Sequence, residues 1–154
     1  MITSWRVVKA IFQNSAFDGE GARIYGGRWN SKGTPVVYTA GSLALASLEI
    51  LVNIPNDQLL QQLVRIPVEF SPKFVSEIDV TILTDHWDGY PASHETKLIG
   101  DQWVKNRHSV ILKVPSAIIP EEFNYLINPY HPDFKKLSIG SPAVYYLNSR
   151  FKKT

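Results

Sequence analysis

The chain has 154 residues, 44% of them hydrophobic and 19% charged, with a net charge of +2. That is enough apolar material for the core of one domain and too little positive charge to argue a nucleic-acid footprint. No cysteine is present, which excludes disulfides, Cys-ligated zinc or iron–sulfur sites and a Cys nucleophile.

Met1-Ile2-Thr3-Ser4-Trp5-Arg6 has neither the charged nor the apolar region of a signal peptide. No apolar run approaches the roughly 18–20 residues of a membrane span. A cytoplasmic protein with no membrane segment is expected. Trp5–Val8 reads as a first strand. Residues 13–34 hold five of the nine glycines and read as a long irregular region, the kind that is functional in a small domain. Pro35–Thr39 is strand-like. Ser42 is a plausible N-cap for a helix to about Asn53, where Pro55 forbids continuation. Leu63–Phe70 alternates apolar and polar residues, with Pro67 pointing to an edge strand. Ser93 caps a second predicted helix to Asn106, with Leu98, Ile99 and Trp103 facing inward. Val110–Val114 is a strand stopped by Pro115. Residues 115–142 hold five of the ten prolines and read as one long loop. Ala143–Leu147 is a last strand, followed by a short basic tail, Arg150-Phe151-Lys152-Lys153. Strands and helices mix without regular alternation, so the expected class is α+β, one domain over residues 1–154 with a mixed sheet.

Two stretches carry candidate chemistry. Gly26-Gly27-Arg28-Trp29-Asn30-Ser31 combines glycines that permit close backbone approach, a guanidinium fork for phosphate or carboxylate, an aromatic plate and short hydrogen-bonding groups. The same residues also suit a plain surface turn. Glu49 is the only charged residue between Lys32 and Asp57, on a predicted helix apolar nearly all round. A buried carboxylate must be paired, neutralised or useful; Arg28 is the partner to suspect, and a structural ion pair is the competing reading. Other signatures fail. Gly19–Ile24 lacks the third glycine of a dinucleotide fingerprint, and no P-loop is present. The four histidines are not spaced as metal ligands, so no metal is expected. Ser116, His131 and Asp133 lack the G-x-S-x-G context of a hydrolase triad, and Asn128–Asp133 reads as a rigid turn.

Taken in order, Trp5-Arg6, Phe17–Ala22, Gly26–Gly33, Val36–Ala40, Ala44–Glu49, Val114-Pro115-Ser116 and Asn124–Pro132 resemble the RES-domain family, named for an Arg, a Glu and a Ser. The resemblance spans nearly the whole chain. It implies a fold like the ADP-ribosyltransferase core, with a split mixed sheet and flanking helices. It implies the toxin of a type II toxin–antitoxin pair, whose partner is an Xre-like helix-turn-helix antitoxin. It also implies NAD+ as a substrate rather than a cofactor, consumed by hydrolysis or phosphorolysis. Any DNA contact would come through the antitoxin, and a toxin homodimer within the complex is compatible with it.

Carried over by position, the three name residues are Arg28, Glu49 and Ser116, with Ser138 and Ser141 outside the matching context. Tyr38 matches a Tyr on the strand before the Glu helix. Read with glycoside-cleavage chemistry, Glu49 stabilises positive charge developing on the ribose. Arg28, with Gly27 beside it, faces the pyrophosphate or ribose. Tyr38 orients nicotinamide, with Trp29 a weaker stacking candidate and Asn30 a binding group. Ser116 binds ligand or holds Glu49, and Arg6 is a secondary phosphate binder. The competing expectations are an ADP-ribosyltransferase with a macromolecular acceptor and a non-catalytic nucleotide-binding module. Residues 56–107 carry no matching motif, and no function is assigned to them.

Overall fold

Strand β1 spans Ile2–Lys9, β2 Val37–Ala40, β3 Leu63–Phe70, β4 Val75–Glu77, β5 Ile111–Pro115, β6 Phe123–Ile127, β7 Ser138–Ile139 and β8 Ala143–Tyr145. Helices α1 (Glu20–Tyr25), α2 (Leu43–Asn53) and α3 (His94–Asn106) lie between them. The structure is a computed structural model that describes residues 1–58 and 61–152; Lys153 of the basic tail lies outside the described residues. The strands pair in the order β4-β5-β6-β2-β1-β3-β7, with β8 on β3. β4 and β5 run parallel and the other pairs are antiparallel, so the sheet is mixed as expected.

The sheet is strongly curled. Val37, Val68, Phe70, Ile111, Tyr125 and Ile127 form one cluster on its inner face. Their strands β3 and β5 are four positions apart in the sheet, which would be about 19 Å if it were flat. Sharing a core requires the sheet to fold back on itself. Pairing is thinnest between β1 and β2, in the interior of the sheet. β1 and β2 share only the pair Trp5↔Ala40, whereas β1 and β3 share eight pairs. At this seam the Arg6 guanidinium donates through Nη1 to the Tyr38 carbonyl at 2.9 Å and through Nε to the Ala16 carbonyl. A side chain thus satisfies one carbonyl of β2 and one of the turn after β1 beside this thin seam.

The outer face takes two helices. α2 lays Leu45 and Ala46 against Val7, Ala40 and Leu63. α3 lays Trp103 beside Trp29 over Leu112, Val114 and Leu126. Register puts Tyr38, Ala40, Asn124 and Leu126 on this same face, along the line between the two helices.

Several elements depart from the sequence reading. The glycine-rich region contains helix α1. β4 was not foreseen, and β6 lies inside the stretch read as loop, yet β6 is central and buried over its last four residues. Prolines misled there: Pro115 ends β5 and Pro120 sits in the β5–β6 connection, so both punctuate a hairpin. Pro67 is not on a free edge; it falls where the outer partner of β3 changes from β8 to β7. On α3, Leu98 is exposed, and the buried face is Thr96, Gly100 and Trp103. α2 is likewise not buried all round: Val52 is exposed.

Candidate active site

The loop after α1 is held by α3. Thr96 Oγ1 donates to the Arg28 carbonyl at 2.6 Å, and Lys97 Nζ to the Gly27 carbonyl at 2.9 Å. Asp101 Oδ1 accepts from the Ser31 amide at 2.8 Å. Gly100 presses against the loop so closely that a Cβ there would stand 1.6 Å from the Trp29 carbonyl oxygen. α3 is therefore a clamp on Gly27–Ser31, and residues 56–107, which showed no legible role, supply it.

Inside the clamp, side chains read as ligand groups serve as scaffold. Asn30 is fully buried; its amide nitrogen donates to the carbonyls of Ala22, Ser31 and Thr34. Its Oδ1 accepts from the Tyr38 hydroxyl at 2.6 Å, and that hydroxyl accepts from the Trp29 amide at 3.0 Å. Burial pushes the Tyr38 phenol well above its ordinary range. Its hydroxyl is an engaged, neutral group, so the ring rather than the oxygen is what Tyr38 offers a ligand. Gly27 is needed for Tyr38: a Cβ there would stand 2.6 Å from the phenolic oxygen. The Trp29 ring is only 2% exposed and packs 5.9 Å from Trp87 between ring centres. It is a core residue with no open face for stacking, and Asn30 has no amide hydrogen to spare, so neither takes the ligand-contacting place read into it.

The Arg28 side chain leaves this core and donates through Nη1 to the Trp87 carbonyl at 2.9 Å and through Nη2 to the Gly89 carbonyl at 2.8 Å. Burial lowers its pKa and nearby Asp88 opposes that. The fork pins the connection before α3, and Glu49 does not pair with it.

Glu49 instead has neutral partners. Oε1 accepts from Ser116 Oγ at 3.1 Å and from Asn124 Nδ2 at 2.8 Å; Oε2 accepts from the same nitrogen at 3.0 Å. Burial pushes the carboxyl above its ordinary value, the two donors pull it back, and Glu122 adds an upward push. Ser116 is itself fully buried, with Oγ accepting from the amides of Ile118 and Ile119. It holds Glu49 and has no surface for a ligand. Arg6 is also spent. Ser4 and Thr39 join hydroxyls at 2.8 Å, so Arg6, two residues on, lies on the inner face, opposite to the Tyr38 and Asn124 side chains. Burial brings its guanidinium down to about 10. It braces the seam and is not placed to bind phosphate beside Glu49.

The structure thus forms two neighbouring clusters, Glu49–Ser116–Asn124 and Arg28–Trp29–Asn30–Tyr38, joined along β2. Asn124 also donates to the Thr39 carbonyl at 3.2 Å, one residue from Tyr38. Sequence reasoning assigned Asn124 no role. Its signal was a lone polar residue inside the apolar run Phe123–Ile127. An apolar groove of about 400 Å³ lies elsewhere, between α2 residues such as Leu48 and Leu51 and the C-terminal Tyr145–Phe151 segment. Helical spacing puts Glu49 on the opposite side of α2 from it, and it has no charged lining residue. Among the described residues no three His, Asp or Glu are placed to hold a metal.

The RES domain family matches residues 3–148. A protein of Photorhabdus laumondii named Toxin Res is 38% identical over 132 residues, covering 86% of this chain and 85% of its own. The Prs ADP-ribosylating toxin of a Sphingobium species is 38% identical over 141 residues, covering 88% of each chain. Among solved structures, a chain of the M. tuberculosis MbcT–MbcA toxin–antitoxin complex superposes with a TM-score of 0.73 at 18% identity, over 94% of this chain and 84% of that one.

Proposed function

The chain belongs to the RES domain family, and on that premise we propose that it is a toxin that consumes NAD+ by breaking the nicotinamide–ribose bond. The observation that supports this most is Glu49, a partly desolvated carboxylate met only by hydrogen-bond donors. Nicotinamide leaves NAD+ as a neutral molecule and needs no general acid. The ribose left behind takes up positive charge, as in glycoside cleavage. A fixed carboxylate stabilises that charge or holds a ribose hydroxyl. Arg28 already spends two N–H groups on loop carbonyls and offers the remainder to the pyrophosphate. Tyr38 presents its ring to the nicotinamide side, and Ser116, Asn30 and Trp29 act as support. Phosphate, or water that loses one proton to bulk solvent, then forms the bond to the ribose carbon that nicotinamide has left.

In this reading the protein works in the cytoplasm and is restrained by an Xre-like helix-turn-helix antitoxin. A segment of that partner covers the surface between Arg28 and Glu49, with a toxin homodimer in the complex. The likeness to the MbcT–MbcA complex supports an antitoxin partner. A second reading, ADP-ribose transfer to a macromolecule, is favoured by the name of the Sphingobium relative. Purified, antitoxin-free protein incubated with NAD+, with and without inorganic phosphate, tests both. Nicotinamide release with ADP-ribose as product marks a glycohydrolase, and release only with phosphate marks a phosphorylase. Label passing from NAD+ to lysate protein or nucleic acid marks a transferase. No release from folded protein in any arm overturns the proposal.

A further inference from the structure

We propose that Asn124 is the positioning residue of this site: its amide fixes the plane of the Glu49 carboxylate, favours its ionised form and leaves Oε2 as the oxygen that meets the substrate. Asn124 Nδ2 carries two hydrogens and has three acceptors, Thr39 O, Glu49 Oε1 and Glu49 Oε2, at 3.2, 2.8 and 3.0 Å. One hydrogen is anchored on the β2 backbone, and the other is shared by the two carboxylate oxygens. A nitrogen almost equidistant from both oxygens sits near their bisector and fixes the rotation of the group. Ser116 Oγ spends its two lone pairs on the amides of Ile118 and Ile119, so its one hydrogen must go to Glu49 Oε1.

Glu49 therefore meets two donors and no acceptor. Both donors aim at carboxylate oxygens, so the cradle favours the ionised form without a cation and opposes the upward push of burial. The groups that act on it are Asn124 on β6, Ser116 just after β5, and the exposed Glu122 before β6, which opposes ionisation. Oε1 takes two of the three contacts. Oε2 takes only the shared one and keeps the lone-pair capacity to receive a ribose hydroxyl or face an oxocarbenium carbon. The catalytic consequence rests on the NAD+-cleaving reading; the cradle itself does not.

The test separates the two. Carboxyl carbon-13 NMR of glutamate-labelled protein, with Glu49 assigned through Glu49→Gln, gives the Glu49 titration directly. Asn124→Ala is expected to raise its midpoint by about one unit, a tenfold change in protonation. Asn124→Asp keeps the volume while removing both N–H groups, and it is expected to raise the midpoint at least as far. It serves if the alanine variant fails to fold. An unchanged midpoint in either folded variant overturns the proposal, whether or not NAD+ is cleaved. Where the wild type cleaves NAD+, the acidic limb of kcat/KM is expected to move with the midpoint. On the high-pH plateau kcat is expected to fall about tenfold with KM little changed, because a freely turning carboxylate is ionised but misaimed. A plateau kcat equal to wild type overturns the positioning role. A wild type that leaves NAD+ intact overturns only the NAD+ reading, and the NMR arm still decides the cradle.

Discussion

Gly100→Ala isolates the clamp that holds the Arg28 loop. An added methyl carbon would lie 1.6 Å from the Trp29 carbonyl oxygen and 2.7 Å from its carbonyl carbon, where ordinary contact begins at 3.4 Å. The obstacle is backbone on both sides, so relief requires α3 and the loop to separate by about 1.8 Å, the shortfall between those distances. A separation of that size breaks the Thr96–Arg28, Lys97–Gly27 and Asp101–Ser31 bonds, now 2.6–2.9 Å long. Overpacking costs roughly 1–3 kcal/mol and each lost bond roughly 1 kcal/mol. The expected loss is roughly 4–6 kcal/mol, a large part of the roughly 5–15 kcal/mol that holds a domain together, and a melting point lower by roughly 10–20 °C. Gly21→Ala is the matched control. Gly21 sits in α1 with nothing within 4 Å of an added Cβ, so alanine there is expected to be neutral or stabilising by up to about 1 kcal/mol. Urea titration and calorimetry of both variants, with NAD+ turnover alongside, make the comparison. If Gly100→Ala melts with the wild type, the close packing of α3 on Trp29 is wrong.

The other predictions concern the groups that the clamp and cradle hold. Asn30→Ala leaves the Thr34 carbonyl without this donor and the Tyr38 hydroxyl without its acceptor, strips the Ala22 carbonyl of one of its two donors, and is expected to cost about 2–4 kcal/mol by urea titration. Glu49→Gln is expected to lower NAD+ turnover at least about a hundredfold and to change the pH dependence of stability. The folded carboxyl titrates above its unfolded value. The native state therefore binds more protons between the two values, and wild-type stability falls as pH rises through the folded pKa. The variant lacks this decline, so its stability relative to wild type is expected to improve from pH 4 to pH 7.5, as read from urea midpoints. Arg28→Lys cannot bridge the Trp87 and Gly89 carbonyls together and forfeits a charge-assisted bond of roughly 1.5–3 kcal/mol. Limited proteolysis is expected to cut faster between residues 84 and 92, with the global melting point little changed.

Local patterns were enough to read much of this protein from its residues. Ser42 does cap α2, its oxygen accepting from the Leu45 amide at 3.1 Å, and Ser93 caps α3 in the same way. The alternation in Leu63–Phe70 marks a strand whose Val64, Ile66, Val68 and Phe70 are buried. Glu49 stood out because a single charge in a long apolar stretch is costly unless something receives it. Family likeness named Arg28, Tyr38, Glu49 and Ser116 but not what each touches. Side-chain partnership across the chain was decided by tertiary structure alone. The donors to Glu49 come from residues 67 and 75 positions away, the clamp on Gly27–Ser31 from about 70 positions away, and the acceptors of Arg28 from about 60. Nothing local in Gly26–Ser31 distinguishes a loop that closes on a ligand from one whose Asn and Trp close on a Tyr. The difference is desolvation. Curling the sheet and laying α2 and α3 over it leaves Asn30, Trp29 and Ser116 buried, and each buried polar group must then find a partner inside the protein. That requirement turned residues read as ligand contacts into supports, and it gave Glu49 an amide and a hydroxyl where the sequence suggested an arginine.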